Sequence, residues 1–285
     1  MRRATARRRR RVAFALACVL AAAFATGLAL GTRDPGTRAR APGALRTPLS
    51  AARSATKVGN PSSTPVPILM YHVLGEAPSG APYPDLFVGQ NDFEGQMRWL
   101  ARHGYHALTL DAVWKGWHDG RALPAHPIVV SFDDGYRSDV GVALPVLERH
   151  GWPGVLNLKV GNLKPGDLRP QGVRRLIAAG WEIDAHTITH PDLTTLDPAS
   201  LRHEVSGARA ALRREFGVPV DNFAYPAGRY NAVAQAAVRA AGYRAAVTTE
   251  PGLAHMDADR TKLPRIRVNG TDSASAVLQA VESAR

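Results

Sequence analysis

Apolar positions along the chain fall into short continuous runs, and amphipathic stretches separate them. The runs are VPILMYHV (66–73), HALTL (106–110), PIVVSF (127–132), GVLNLKV (154–160), WEIDAHT (181–187), NFAYP (222–226), YRAAVTT (243–249) and LPRIRV (263–268). A run of four to eight apolar residues bounded by turn formers is the pattern of a strand buried on both faces. Between the runs, helical spacing predicts helices over 93–103, 140–150, 171–179, 198–216 and 232–241. In the first of these Phe93, Met97, Trp99 and Leu100 form the apolar face. Buried strands alternating with amphipathic helices predict a parallel α/β fold with the helices outside. Seven or eight such strands suit a closed barrel better than a small open sheet. Reactive side chains in such barrels come from the C-terminal ends of strands, where Asp133, His186 and Tyr225 are expected.

The first 64 residues follow a different pattern. Seven arginines precede a stretch from Val12 to Thr32 without a charge. Residues 1–32 therefore read as a secretory signal or a single membrane anchor, with the arginines left in the cytoplasm. Residues 33–64, rich in Ala, Arg, Pro, Ser and Thr, read as a flexible linker. One folded domain is expected over 65–285, outside the cytoplasm, either secreted or held to the membrane by the N-terminal segment. The net charge of +12 does not alter this picture. Residues 1–60 hold twelve arginines, one lysine and a single acid, Asp34, and the remainder holds 23 residues of each sign. The folded part has no overall basic footprint, so a nucleic-acid partner is not expected. Cys18, the only cysteine, lies in the apolar N-terminal stretch, which excludes disulfides and cysteine-ligated metals from the exported part.

Three stretches carry candidate chemistry. SFDDG (131–135) sets Asp133 and Asp134 together where a strand ends. In a strand the two would point to opposite faces. HTITHP (186–191) holds His186 and His190 in a segment that β-branched residues and Pro191 make extended rather than helical. Two imidazoles and one carboxylate form the ligand set of hydrolytic zinc sites. One aspartate could then bind the cation while the other acts as a base on the water it activates. The third stretch, NFAYPAGRYN (222–231), places a tight turn at Pro226–Gly228 after a strand. Such a turn frees backbone N–H groups for an oxyanion. His72, in ILMYHV, ends the first strand. Tyr136, Tyr225 and Tyr230 are candidates to stack on a sugar ring or to pack in the core. Trp114, Trp117, Trp152 and Trp181 read as packing residues.

Together, SFDDG, HTITHP and FAYPAG resemble the polysaccharide deacetylases of the NodB-homology type, carbohydrate esterase family 4, over about residues 65–270. The opening PILMYHV resembles the branch that deacetylates poly-N-acetylglucosamine in biofilms, a permuted form in which the acid-bearing strand comes first. The resemblance implies a distorted (β/α)7-type barrel and a divalent cation, zinc first and cobalt or nickel as alternatives. It implies Asp133 as base, Asp134, His186 and His190 as metal ligands, and His72 as general acid. The turn of Tyr225, Ala227 and Gly228 would face substrate, with the Ala227 N–H on the oxyanion. The implied substrate is an acetylated glucosamine polysaccharide: poly-N-acetylglucosamine, peptidoglycan or a chitin-like polymer.

The sequence departs from the family pattern in three places. Ala224 stands where an arginine usually orients the base, Ala227 replaces a tyrosine, and AVTTEPGL replaces a later Asp-Trp motif. Arg265, in LPRIRV, is expected to take over the ion pair with Asp133, because a planar guanidinium matches a carboxylate. Two other readings compete. In a glycoside hydrolase, Asp133 would work with Glu182 or Asp184 across the bond. A non-catalytic glycan-binding wall protein would need no base at all.

Overall fold

Seven parallel strands close into a barrel in the computed structural model, which describes residues 64–284. The expected signal or anchor, Cys18 and nearly all of the linker lie outside the described residues. The strands are β1 (Ile68–Tyr71), β2 (Val73–Leu74), β3 (Phe87–Val88), β4 (His106–Ala107), β5 (Pro127–Asp134), β6 (Val155–Leu158), β7 (Glu182–Ala185), β8 (Asn222–Ala224), β9 (Ala245–Pro251) and β10 (Leu263–Arg267). The helices are α1 (Gln90–Arg102), α2 (Leu110–His118), α3 (Leu144–Glu148), α4 (Pro170–Ala178), α5 (Pro198–Phe216), α6 (Ala232–Ala240) and α7 (Ala274–Ser283).

Around the barrel the order is β1, β5, β6, β7, β8, β9, β10 and back to β1. The ring thus follows chain order, and every adjacent pair is parallel. Closure at β1 pairs Ile68 with Val129 on β5 and Leu69 with Ile266 on β10. β4 pairs with the first residues of β5, and β2 with β3 forms a small separate sheet.

The period of two divides each strand between two cores. Ile68, Val129, Val155, Val247 and Leu263 cluster with Leu110, Val113 and Trp117 of α2. Their neighbours Leu69, Val130, Phe132, Leu156 and Ile183 pack against the helix shell, including Phe93, Met97, Leu176 and Val205. Further along the first face of β5 the side chains turn polar, at Ser131 and Asp133. The barrel is therefore apolar below and polar at its C-terminal mouth.

Several stretches differ from the sequence expectation. HALTL is a strand only at His106–Ala107: the Thr109 hydroxyl accepts from Ala112 N–H at 3.1 Å and starts α2, which was not expected. Residues 140–150 form a π-turn over Asp139–Ala143 before the short α3, because Pro145 lacks the N–H that an α-helix would use there. Helix α7, capped by Ser273, and the two-residue strands β2 and β3 were also not expected.

Candidate metal centre and active site

Asp133 and Asp134 reach one site because the extended backbone of β5 ends at Asp134. Asp133 keeps the inward direction of Val129 and Ser131. Asp134 has φ 74°, and Gly135 follows with φ 91°, so the extended alternation ends there. The Asp134 carbonyl accepts from Lys159 N–H and from the Asn162 amide, each at 3.2 Å, which fixes the kink. Its Oδ2 accepts from the Tyr136 hydroxyl at 3.0 Å.

The other carboxylate oxygen of Asp134 faces two imidazoles. Oδ1 lies 3.7 Å from His186 Nε2 and 3.8 Å from His190 Nε2. Among the described residues, Asp134, His186 and His190 form the one group able to share a cation, with donor atoms within 4.8 Å of one another. Bonds of about 2.1 Å in a tetrahedral shell put ligand atoms roughly 3.4 Å apart, so the two distances from Asp134 to the imidazoles need to close by only a few tenths of an ångström. The donor chemistry fits as well. His186 follows β7, and its Nδ1–H donates to the Ala224 carbonyl at 2.8 Å, which leaves Nε2 as the free lone pair. Burial, and then the neighbouring His186, lower the His190 pKa from its ordinary value and favour the neutral ring that a ligand must be.

The histidine loop is strained and held from outside. Thr187 (φ 66°) and His190 (φ 68°) both occupy the left-handed region, at a cost of order 1–3 kcal/mol each. Glu204 on α5 offsets this. Its carboxylate accepts from Ile188 N–H at 2.8 Å, Thr189 N–H at 2.9 Å and the Thr189 hydroxyl at 2.7 Å. The Thr187 hydroxyl in turn accepts from His190 N–H at 2.9 Å. Glu204→Ala is therefore expected to weaken cation affinity by about 10- to 100-fold, the usual effect of losing a group that orients ligands. Competition with a chromogenic chelator would measure this, and an unchanged affinity would remove Glu204 from the site.

Behind the candidate centre lies a buried ion pair. Arg265 enters from β10 with no exposed surface and meets Asp133 in a fork, Nη1 to Oδ1 at 2.8 Å and Nη2 to Oδ2 at 2.7 Å. Its Nε donates to the Thr248 carbonyl at 2.8 Å, and Asn157 donates to Asp133 Oδ1 at 2.8 Å. Burial alone would raise the Asp133 pKa. The Arg265 charge and hydrogen bonds, helped by His186 and His72, reverse this and hold the carboxyl well below the usual range. The ion pair thus favours the ionised form of Asp133. Because the folded pKa is depressed, the pair's stabilisation is present above the unfolded carboxylate pKa of about 3.9 and is lost as pH falls below it.

Replacing Arg265 by glutamine reverses the balance. Burial then dominates, the Asp133 pKa rises, and a base that works only when ionised fails at higher pH than before. The acid limb of the pH–kcat/KM profile should move toward neutrality, and neutral turnover should fall by at least about tenfold, with metal content unchanged. A profile that superimposes on the wild type would refute the pairing's role.

These groups open into a cleft of about 770 Å³ at the C-terminal ends of the strands, lined among others by His72, Asp133, Asp134, His186, His190 and Ala227. His72, just past β1, has a buried Nδ1 without a hydrogen-bond partner. Burial lowers the His72 pKa against the opposing pull of Asp133 and Asp134. The structure brings Asp133, Asp134, His186, His190, His72, Ala227 and, behind them, Arg265 together.

It does not bring in the other two residues of the turn. Tyr225 is fully buried, meets Phe223 edge-to-face and Tyr230 at a tilt, and lies in the outer core rather than in the cleft. Gly228 donates its N–H back to the Tyr225 carbonyl at 2.9 Å, and Arg229 donates to Pro226 at 3.0 Å, so Ala227 is left as the turn's donor toward the cleft. Gly228 is needed for space: at φ 69°, a Cβ would come 2.0 Å from the Thr249 hydroxyl. Tyr230 donates its hydroxyl proton to Glu250, and Tyr136 donates its own to Asp134. Glu182 and Asp184 are not cleft residues. Both bond to Asn222, and Glu182 also caps Asp111 N–H in a groove at the N-terminal end of β7. The pair required by the glycoside hydrolase reading is therefore not assembled. Asn157 and Glu204, which support Asp133 and the histidine loop, had no assigned role in the sequence reading, and Tyr136, read there as a stacking or packing residue, bonds Asp134.

Comparison with known proteins gives a consistent result. The polysaccharide deacetylase family profile matches residues 120–246, which leaves β1 with His72 and β10 with Arg265 outside the match. YxkH of Bacillus subtilis (strain 168), a protein assigned to the polysaccharide deacetylases, is 30% identical over 221 residues, covering 76% of each chain. The poly-beta-1,6-N-acetyl-D-glucosamine N-deacetylase of Escherichia coli (strain K12) is 33% identical over 60 residues, 21% of this chain and 9% of that one. Among solved structures, the Streptococcus pyogenes deacetylase PplD in complex with acetate is similar with a TM-score of 0.71 and 25% identity, covering 76% of this chain and 98% of that one.

Proposed function

The chain belongs to the polysaccharide deacetylase family, and we propose that it is a metal-dependent hydrolase that removes N-acetyl groups from an extracytoplasmic amino-sugar polysaccharide. The observation that carries this reading is the Asp134–His186–His190 cluster with an ionised, differently partnered Asp133 beside it.

A bound divalent cation, zinc in this reading and cobalt or nickel as alternatives, supplies Lewis-acid polarisation of the amide carbonyl and lowers the pKa of an adjacent water to around 7. The chain's own groups do the rest. Asp133, aimed by Arg265 and Asn157, takes a proton from the attacking water. The Ala227 N–H donates to the carbonyl oxygen as it gains negative charge. His72 gives a proton to the leaving nitrogen, so that acetate and a free amine depart. The bound acetate of PplD, a similar fold, is of the same chemistry as this product.

Poly-N-acetylglucosamine is the favoured polymer. The PILMYHV opening with His72 at the end of β1 supports it, and so does the short similarity to the E. coli enzyme. Peptidoglycan and chitin-like chains are the alternatives. The arginine-led apolar stretch at 1–32 supports export, and 65–285 is taken as the catalytic domain. The deciding assay is acetate release from a panel of acetylated glycans. Activity should disappear with EDTA and return with zinc. Undiminished release in excess chelator would contradict the metal-dependent reading, and no release from any glycan would contradict the enzyme reading.

A further inference from the structure

Tyr83 is the most exposed large apolar residue among the described residues, at 69%, yet it lies on the wall of the catalytic cleft. No hydrogen bond or ring contact engages its side chain. It belongs to the segment between β2 and β3, whose sequence around it is Pro82-Tyr83-Pro84-Asp85. The two prolines fix their own φ on either side, and a residue before proline is kept out of the helical region; Tyr83 has φ −135° and ψ 71°.

The base of the segment is clamped. Gly75 N–H donates to Val88 at 2.8 Å, Leu86 N–H to Tyr83 at 3.2 Å, and Gly270 N–H to Asp85 at 3.0 Å. Gly270 permits that approach, since a Cβ there would come 2.1 Å from the Phe87 carbonyl. An uncovered aromatic ring is thus carried on backbone that is already ordered. A ligand that covers it removes apolar surface from water without the cost of ordering a loop. The other tyrosine on the cleft wall, Tyr136, is held by its hydroxyl against the candidate metal ligand Asp134, whereas the Tyr83 side chain has no hydrogen bond.

We propose that Tyr83 is a sugar platform: its ring stacks on the C–H face of a hexosamine that neighbours the residue being deacetylated, so that the enzyme prefers a polymer to a single sugar. Tyrosine suits the task, with a broad rigid face for the apolar side of the ring and a hydroxyl for its edge. The proposal rests on the deacetylase reading above and assigns a subsite within it.

The test uses the zinc-loaded full chain and N-acetylglucosamine oligomers of two to six residues. In the wild type, KM should fall as the oligomer lengthens. In Tyr83→Ala that gain should be lost, with KM for the hexamer raised about tenfold and kcat changed far less. Tyr83→Trp, which keeps a stacking face, should restore the wild-type KM. Equal KM values for wild type and Tyr83→Ala on the hexamer would overturn the platform, and so would a Tyr83→Trp variant as weak as the alanine. Failure of the wild type on every oligomer and on acetylated peptidoglycan would instead overturn the deacetylase reading, and the platform with it.

Discussion

Changing His186 to alanine will abolish acetate release, to the background of the assay, together with stoichiometric zinc binding. The imidazole is one of three donors, and its Nδ1 is committed to the Ala224 carbonyl, so no other orientation of the ring is in use. Its loss leaves Asp134 and His190, 3.8 Å apart, as a two-ligand site. Two protein ligands lack the third that catalytic zinc sites use. Losing the cation removes the groups' shared purpose, so the effect on turnover should exceed that of any other single change. The fold should survive, because the barrel's cores do not depend on this ring. Zinc content and acetate release, measured on the same preparation with its circular dichroism spectrum, check the prediction. A His186→Ala variant with wild-type turnover would exclude this residue from the mechanism.

Asp133→Asn is expected to separate chemistry from metal binding. Turnover should fall by about 10²–10⁴-fold, the contribution of a positioned base, while one zinc still binds. The substitution keeps an oxygen for Arg265 Nη1 and the Asn157 amide but sets a neutral amide where Nη2 met a carboxylate. Breaking a buried pair costs of order 3–5 kcal/mol. Here Arg265 keeps its bond to Thr248, so a lower Tm in a folded protein is expected rather than unfolding. Loss of zinc along with turnover would mean that Asp133, and not Asp134 alone, holds the cation.

Much of this site was legible in the sequence because its parts end strongly apolar strands. The run into Asp133–Asp134 and the spacing of His186 and His190 needed only the rule that barrel strands present chemistry at their C-terminal ends. The pairing of Arg265 with Asp133 could be guessed from charge. Its geometry depends on barrel closure, which sets β10 and β5 on either side of β1.

The misses have local causes. Tyr225 was expected near substrate, but it lies two residues beyond Phe223 and so shares that residue's outward face in a strand of period two. Gly228 looked like a free donor, yet the tightness of the turn directs its N–H back to Tyr225. Glu204 lies on a long helix where a carboxylate ordinarily faces solvent; only the fold brings the histidine loop over it. Tyr83 sits in a segment of prolines and glycines without a period, so no pattern in the sequence could place it on the cleft.

The most direct test of the account is a calorimetric zinc titration of the wild-type chain beside Asp134→Asn, His186→Ala and His190→Ala variants. The account predicts one site per wild-type chain and a loss of that site in each variant. Retention of the same stoichiometry and affinity in all three would contradict it.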